Sequence, residues 1–203
     1  MRASNPSRLE VLLGAAAVGF SVDYFVSDVI ESAQGDFSTF QLWLTLIAEI
    51  AIPFFVVGLW WVRRDALGTV GKVSAFAYAY AYAFFTFTVI YALVDHTPDY
   101  DTLSDDLGPW MLIHGAIMLL SGIGFGYAII KSRAYPRWTG WALIAGVVLV
   151  SATQSAPEGV AVFAALIRDI AWAGMGLWLI VGSRLAATDA TPGTDRGEFE
   201  PSN

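Results

Sequence analysis

Six apolar runs dominate this chain, at residues 9–30, 40–62, 73–94, 110–130, 138–155 and 160–182. Each approaches the ~20 residues that an α-helix needs to cross the hydrocarbon core of a bilayer, the fifth being the shortest. These runs are apolar around the whole helix rather than along one stripe, so they have no face to offer to water. Composition agrees, with 56% of residues hydrophobic and a mean hydropathy of +0.58. The sequence predicts an all-α fold, a six-transmembrane-helix bundle over residues 1–187. A polar tail at 188–203, with Pro and Gly and an acidic balance, is expected to be disordered.

The basic residues orient the bundle. Arg2 and Arg8 precede the first run, and Arg63, Arg64 and Lys72 lie between the second and third. Lys131, Arg133 and Arg137 lie between the fourth and fifth, and Arg184 and Arg196 follow the sixth. The other three connections carry none, so both termini are expected on the cytoplasmic side of a plasma (inner) membrane. A cleaved signal peptide over residues 1–33 is the competing reading. The first run is long for a signal and contains Asp23 and Asp28, which disfavours it.

Several function classes drop out. A net charge of −7 with no basic tract argues against nucleic acid as a partner. The absence of cysteine removes disulfides, thiol catalysis, iron–sulfur clusters and Cys-ligated zinc. Lys72 and Lys131 are the only lysines and both flank the cytoplasmic side, which excludes a buried retinal Schiff base.

Arg168 is the one basic residue inside an apolar run. Ionisable groups in hydrocarbon cost about 2.5–3.5 kcal/mol each on insertion scales, so each is a functional candidate. Counting from the run midpoints places Asp23, Glu49, Arg168 and Asp169 about 3–5 Å outward of the midplane, and His114 about 9 Å outward. A shared depth is what a single outward-facing polar site needs, and these five residues are its candidates. Asp23, Ser27 and Glu31 recur every four residues and are assigned one face of the first helix, with Asp28 pointing elsewhere. Gln41, Thr45, Glu49 and Pro53 form a similar row on the second, where Pro53 frees the Glu49 carbonyl. Arg168 and Asp169 project about 100° apart and are expected to take separate partners, Arg168 pairing with Asp23 or Glu49. Three buried carboxylates then meet one arginine, which calls for a proton, water or a bound cation.

His96 and His114 flank the third outer connection, and their different depths disfavour a shared haem. No metal site is predicted and no motif specifies a cofactor. The acidic loop at 95–106 opens like a calcium loop, but Leu103 and Ser104 stand where an EF-hand needs a ligand and glycine. Gly122 and Gly126 form a G-x-x-x-G, and Gly174 and Gly176 thin the last helix for close packing.

Pro136, Trp138, Gly140 and Trp141, within Tyr135 to Gly146, form a P-x-W-x-G-W pattern. This stretch resembles the start of a helix in uncharacterised bacterial multi-pass integral membrane proteins. The resemblance covers about a dozen residues and implies an inner-membrane location, with no functional residues attached. Three readings stay open from the sequence. The first is binding or transport of a small cation, proton or cationic solute, the second an intramembrane enzyme acting on a lipid or isoprenoid, the third a non-catalytic partner subunit. The lipid bilayer is the expected partner in all three, and a homo-oligomer is compatible with each.

Overall fold

The computed structural model describes residues 8–154 and 158–189, and they contain seven helices and no strand. In chain order these are α1 (Arg8–Gln34), α2 (Thr39–Val62), α3 (Arg64–Asp95), α4 (Tyr100–Leu107), α5 (Pro109–Ser132), α6 (Arg137–Ala152) and α7 (Glu158–Asp189). Five of them are long and apolar enough to cross a membrane; α6 is apolar but has only 16 residues, about 24 Å of helix. Most of the expected tail, residues 190–203, lies outside the described residues, as do Arg2 and Arg196.

Each long helix packs on the next, α1 on α2, α2 on α3, α3 on α5, α5 on α6 and α6 on α7, and α7 returns to α1. The result is a closed ring of six helices with α4 at one end. Close backbone contact seals the ring where α1 meets α7. A Cβ on Gly14 would lie 2.6 Å from the Gly176 carbonyl oxygen, and one on Gly176 would lie 2.6 Å from that of Gly14. The glycines of the last helix thus serve helix approach, as small residues do in membranes.

The outer surface of the ring is apolar. Leu12, Phe54, Leu112 and Leu120 are each more than two-thirds exposed, and only lipid solvates such a girdle favourably. Half-exposed tryptophans ring both ends: Trp61, Trp138, Trp141 and Trp178 at one, Trp43 and Trp110 at the other. Trp43 and Trp61 are separated by about 27 Å of helix, close to the thickness of a hydrocarbon core.

The interior is an aromatic plug. Trp172 of α7 packs against Phe55, Tyr78 and Phe125, with centroid distances of 5.8, 5.3 and 5.8 Å, and Tyr78 stacks on Tyr82 at 5.0 Å. The Ala–aromatic alternation of α3 explains this arrangement. In a helix it scatters the rings, so Tyr78 and Tyr82 turn inward while Phe76 and Tyr80 turn out.

Two local contacts fix the ends. At the basic end, the Arg63 N–H tightens onto the Trp60 carbonyl instead of that of Leu59. The Tyr135 hydroxyl, in the α5–α6 connection, donates to the Leu59 carbonyl at 2.8 Å and satisfies that orphan acceptor. Burial pushes the Tyr135 phenol up from its ordinary value, so it remains a donor. Arg63 also meets Glu10 at 2.7 Å, which places the start of α1 beside the α2–α3 junction.

At the other end lies α4, a short helix within the acidic stretch that has no counterpart in the sequence reading. Asp99 caps it by accepting the Thr102 N–H at 2.7 Å. Leu103 is buried with Leu42 and Leu46 of α2 and Val89 and Ala92 of α3. The Phe37 N–H bonds the Pro98 carbonyl at 2.7 Å, tying the α1–α2 connection to the approach to α4.

Tyr135→Phe is expected to cost about 1 kcal/mol by leaving the buried Leu59 carbonyl without its donor, read as a lower thermal midpoint of the purified protein. The cap makes a pH prediction. Hydrogen bonds from Thr102 hold the Asp99 carboxyl below the ordinary Asp value. A group depressed in the folded state supports α4 above its unfolded value, about 3.9, and that support disappears as pH falls through the lower folded value. Carboxyl NMR of the folded protein should show Asp99 titrating below about 3.9, and Asp99→Ala should loosen α4 already at neutral pH.

Candidate functional site

Above the aromatic plug the ring encloses a cavity of about 540 Å³. It extends from Glu49, Tyr24, Tyr82 and Arg168 at its floor to Phe37 and the α4 residues Tyr100, Leu103 and Ser104. The Tyr100 hydroxyl donates to the Gln154 side chain at 3.0 Å, linking α4 to the end of α6. A second hollow of about 440 Å³, a groove between α1 and α2, is lined by apolar residues such as Leu13, Phe20 and Phe54 and offers no chemistry.

Arg168 is the centre of the floor, 4% exposed and one helical turn before Trp172. Its Nε donates to Asp169 Oδ1 at 3.0 Å, and its guanidinium lies over the Tyr24 ring, 4.8 Å from the centroid. This corrects the expectation that the two neighbours take separate partners and that Arg168 pairs with Asp23 or Glu49. The arginine side chain is long enough to fold back along the helix, so the 100° between the two Cβ directions does not keep the charges apart. Gly146 of α6 permits the arrangement: a Cβ there would lie 2.5 Å from the Arg168 backbone nitrogen.

Glu49 is 4% exposed and lines the cavity. The Tyr24 hydroxyl donates to its Oε1 at a long 3.3 Å, and its Oε2 is buried with no hydrogen-bond partner. Tyr24 therefore stands between the two charges, its ring under Arg168 and its hydroxyl on Glu49. One turn toward α4, Thr45 Oγ1 shares a hydrogen bond with Ser27 Oγ at 2.5 Å. Gln41 Nε2 donates to Glu31 Oε2 at 2.9 Å, with Ser27 and Thr45 also in reach. The row Gln41, Thr45 and Glu49 faces the cavity along an unbroken α2.

The face of α1 differs from the expected one. Tyr24, Asp28 and Glu31 line the cavity and Ser27 turns to α2, whereas Asp23 is half-buried and does not line it. At 100° per residue Asp23 lies about 90° from the mean direction of 24, 27, 28 and 31. The signal that finds this register is Val22, Val26 and Val29, the exposed valines of this stretch, which mark the opposite, lipid-facing side.

His114 is placed outside the cavity. It is buried against α3, stacked on Phe84 at 3.7 Å and 8°, with Nδ1 near the Trp110 carbonyl at 2.8 Å and Nε2 near the Tyr80 hydroxyl at 3.3 Å. His96 is an exposed left-handed cap of α3 and does not approach it. Of the five expected site residues, then, the structure gathers Glu49, Arg168 and Asp169, and sets Asp23 and His114 apart. It adds Tyr24, Asp28, Glu31, Gln41 and Tyr82.

Among the described residues no group of three or more His, Asp or Glu side chains is placed to hold a metal ion. The chain matches no protein-family model, no curated protein and no solved structure.

Arg168→Met should strip Asp169 of its partner and cost about 3–5 kcal/mol, as breaking a buried pair does. The double variant Arg168→Met with Asp169→Asn should recover most of the loss, because no unpaired charge is left. Thermal midpoints of the three proteins check this, and a double variant no better than the single would show that the pair is not the source.

Proposed function

We propose that this chain is a six-helix protein of the bacterial inner membrane, both termini cytoplasmic, that binds a small cation or cationic solute in its outward-facing cavity. The basic loops support the orientation, since Arg63, Arg64, Lys131, Arg133 and Arg137 all belong to the end opposite α4. On this reading α6 is the sixth span, short because it starts at Pro136 and ends by Thr153.

The observation that carries the reading is the charge balance of the cavity. Asp28, Glu31 and Glu49 line it, while Arg168, the only Lys or Arg among its lining residues, is bound to Asp169 behind it. With its carboxylates ionised the wall would hold excess negative charge in a poorly solvated place, and Glu49 Oε2 has no donor. Such a carboxylate is neutralised either by a proton or by a cation. Occupancy by a cation then exchanges with protonation of Glu49, with Tyr24 orienting the carboxyl group. The lack of a multidentate acidic cluster among the described residues supports a proton or an organic cation over a chelated metal ion.

Tetramethylammonium is expected to raise the thermal midpoint of the wild-type protein, by more at higher pH, because a proton competes for the same carboxylate. On the acid side, where Glu49 is protonated, affinity should fall about tenfold per pH unit. Glu49→Gln should fold and show no shift; a shift equal to wild type in that variant would sink the proposal.

A further inference from the structure

The cavity is divided. The wall formed by α1, α2 and α7 carries Asp28, Glu31, Gln41, Glu49 and Arg168, while the facing wall of α3, α4 and α5 has no charged side chain. That second wall presents Phe85, Val89, Leu103, Met111, Met118 and Leu119. Thr88, a polar residue among them, spends its hydroxyl on the Phe85 carbonyl at 2.8 Å. A hydrated inorganic ion gains nothing from such a surface, whereas apolar groups gain about 25 cal/mol for each Å² removed from water. The volume, about 540 Å³, is far larger than a single ion needs and falls within the ~300–1,000 Å³ of sites for drug-sized ligands. At the polar wall, the buried and unpartnered Glu49 Oε2 marks where a positive charge would sit.

We propose that the ligand is an amphipathic organic cation, with its charged end at Glu49 and Asp28 and its apolar body along the α3–α5 wall at Phe85 and Met118. The assignment rests on the cation reading above and adds the chemical class. It requires one end of the ligand to be a weakly hydrated cation such as a quaternary ammonium, because Glu49 sits at the bottom of a largely apolar space. It also requires an aromatic or branched apolar body, because the facing wall carries no charged side chain and is lined mainly by apolar residues.

The test uses the full chain in lipid nanodiscs, since detergents are themselves amphiphiles and would compete. Isothermal titration compares benzyltrimethylammonium with tetramethylammonium, two probes with one charge that differ in the ring. Wild type should bind the benzyl probe at least about tenfold more tightly, the gain expected from burying a ring on an apolar wall. Phe85→Ala should reduce that preference to less than about threefold, and Glu49→Gln should weaken both probes. Equal binding of the two probes by wild type would overturn the amphipathic assignment and leave the cation reading standing. Binding of neither probe, or unaltered binding of both in Glu49→Gln, would remove the cation reading and this inference with it. The two-probe comparison in wild type needs no variant, so it decides even if Phe85→Ala does not fold; Phe85→Leu then serves in its place.

Discussion

A single buried guanidinium organises this bundle. Placing a charged side chain within an apolar span costs several kcal/mol unless it is paired, and two groups meet the charge of Arg168 while a third contact seats its backbone. Asp169 takes its Nε, the face of Tyr24 receives its planar group, and Gly146 lets its backbone press against α6. Those contacts come from α7 itself, α1 and α6, the helices that close the ring. The last helix is thus held between the first and the sixth by the same interaction that neutralises it.

Arg168 gives its Nε to its own neighbour and keeps a buried Nη2 without a hydrogen-bond partner, and among the described residues no ion pair joins it to a carboxylate of another helix. Glu49 receives only a long hydrogen bond from Tyr24, and Glu31 is approached by Gln41. Below them the aromatic plug of Phe55, Tyr78, Phe125 and Trp172 fills the ring. Above them the ring is hollow, and α4 covers it through Leu103 and the Asp99 cap. Charge, depth and hollow space coincide at the floor of one cavity. That coincidence is why the functional proposal centres on Glu49 and not on any other acidic residue.

The polar row on α2 is readable in the sequence because its opposite face is marked: Gln41, Thr45 and Glu49 recur at four-residue spacing, and lipid-facing Trp43, Ile47 and Ile50 lie across the helix from them. On α1 two acidic residues compete, and spacing alone selected Asp23 over Asp28. The valines at 22, 26 and 29 would have decided it, since the most apolar face of a membrane helix turns to lipid. Depth along the helix places His114 with the other charges but says nothing of direction around it; it faces Phe84 and Tyr80 of α3 instead of the cavity. The short helix α4 is not legible in the sequence because one buried leucine in an acidic octapeptide leaves almost no periodic signal, and its stability comes from the α2–α3 groove beneath it.

By itself the sequence determined that the chain is helical and lives in a membrane. It also located the apolar helices to within a few residues, with α3 and α7 running further, and singled out Arg168 as the residue a bilayer would not tolerate unpaired. These follow from length, hydropathy and charge, which act locally along the chain. Tertiary structure alone decided which charges meet, which face of α1 looks inward, and that the ring of helices encloses a cavity with one polar and one apolar wall. Those outcomes depend on how helices distant in sequence rotate and pack against one another. A side chain such as Arg168 reaches far enough to choose its partner only after that packing is set.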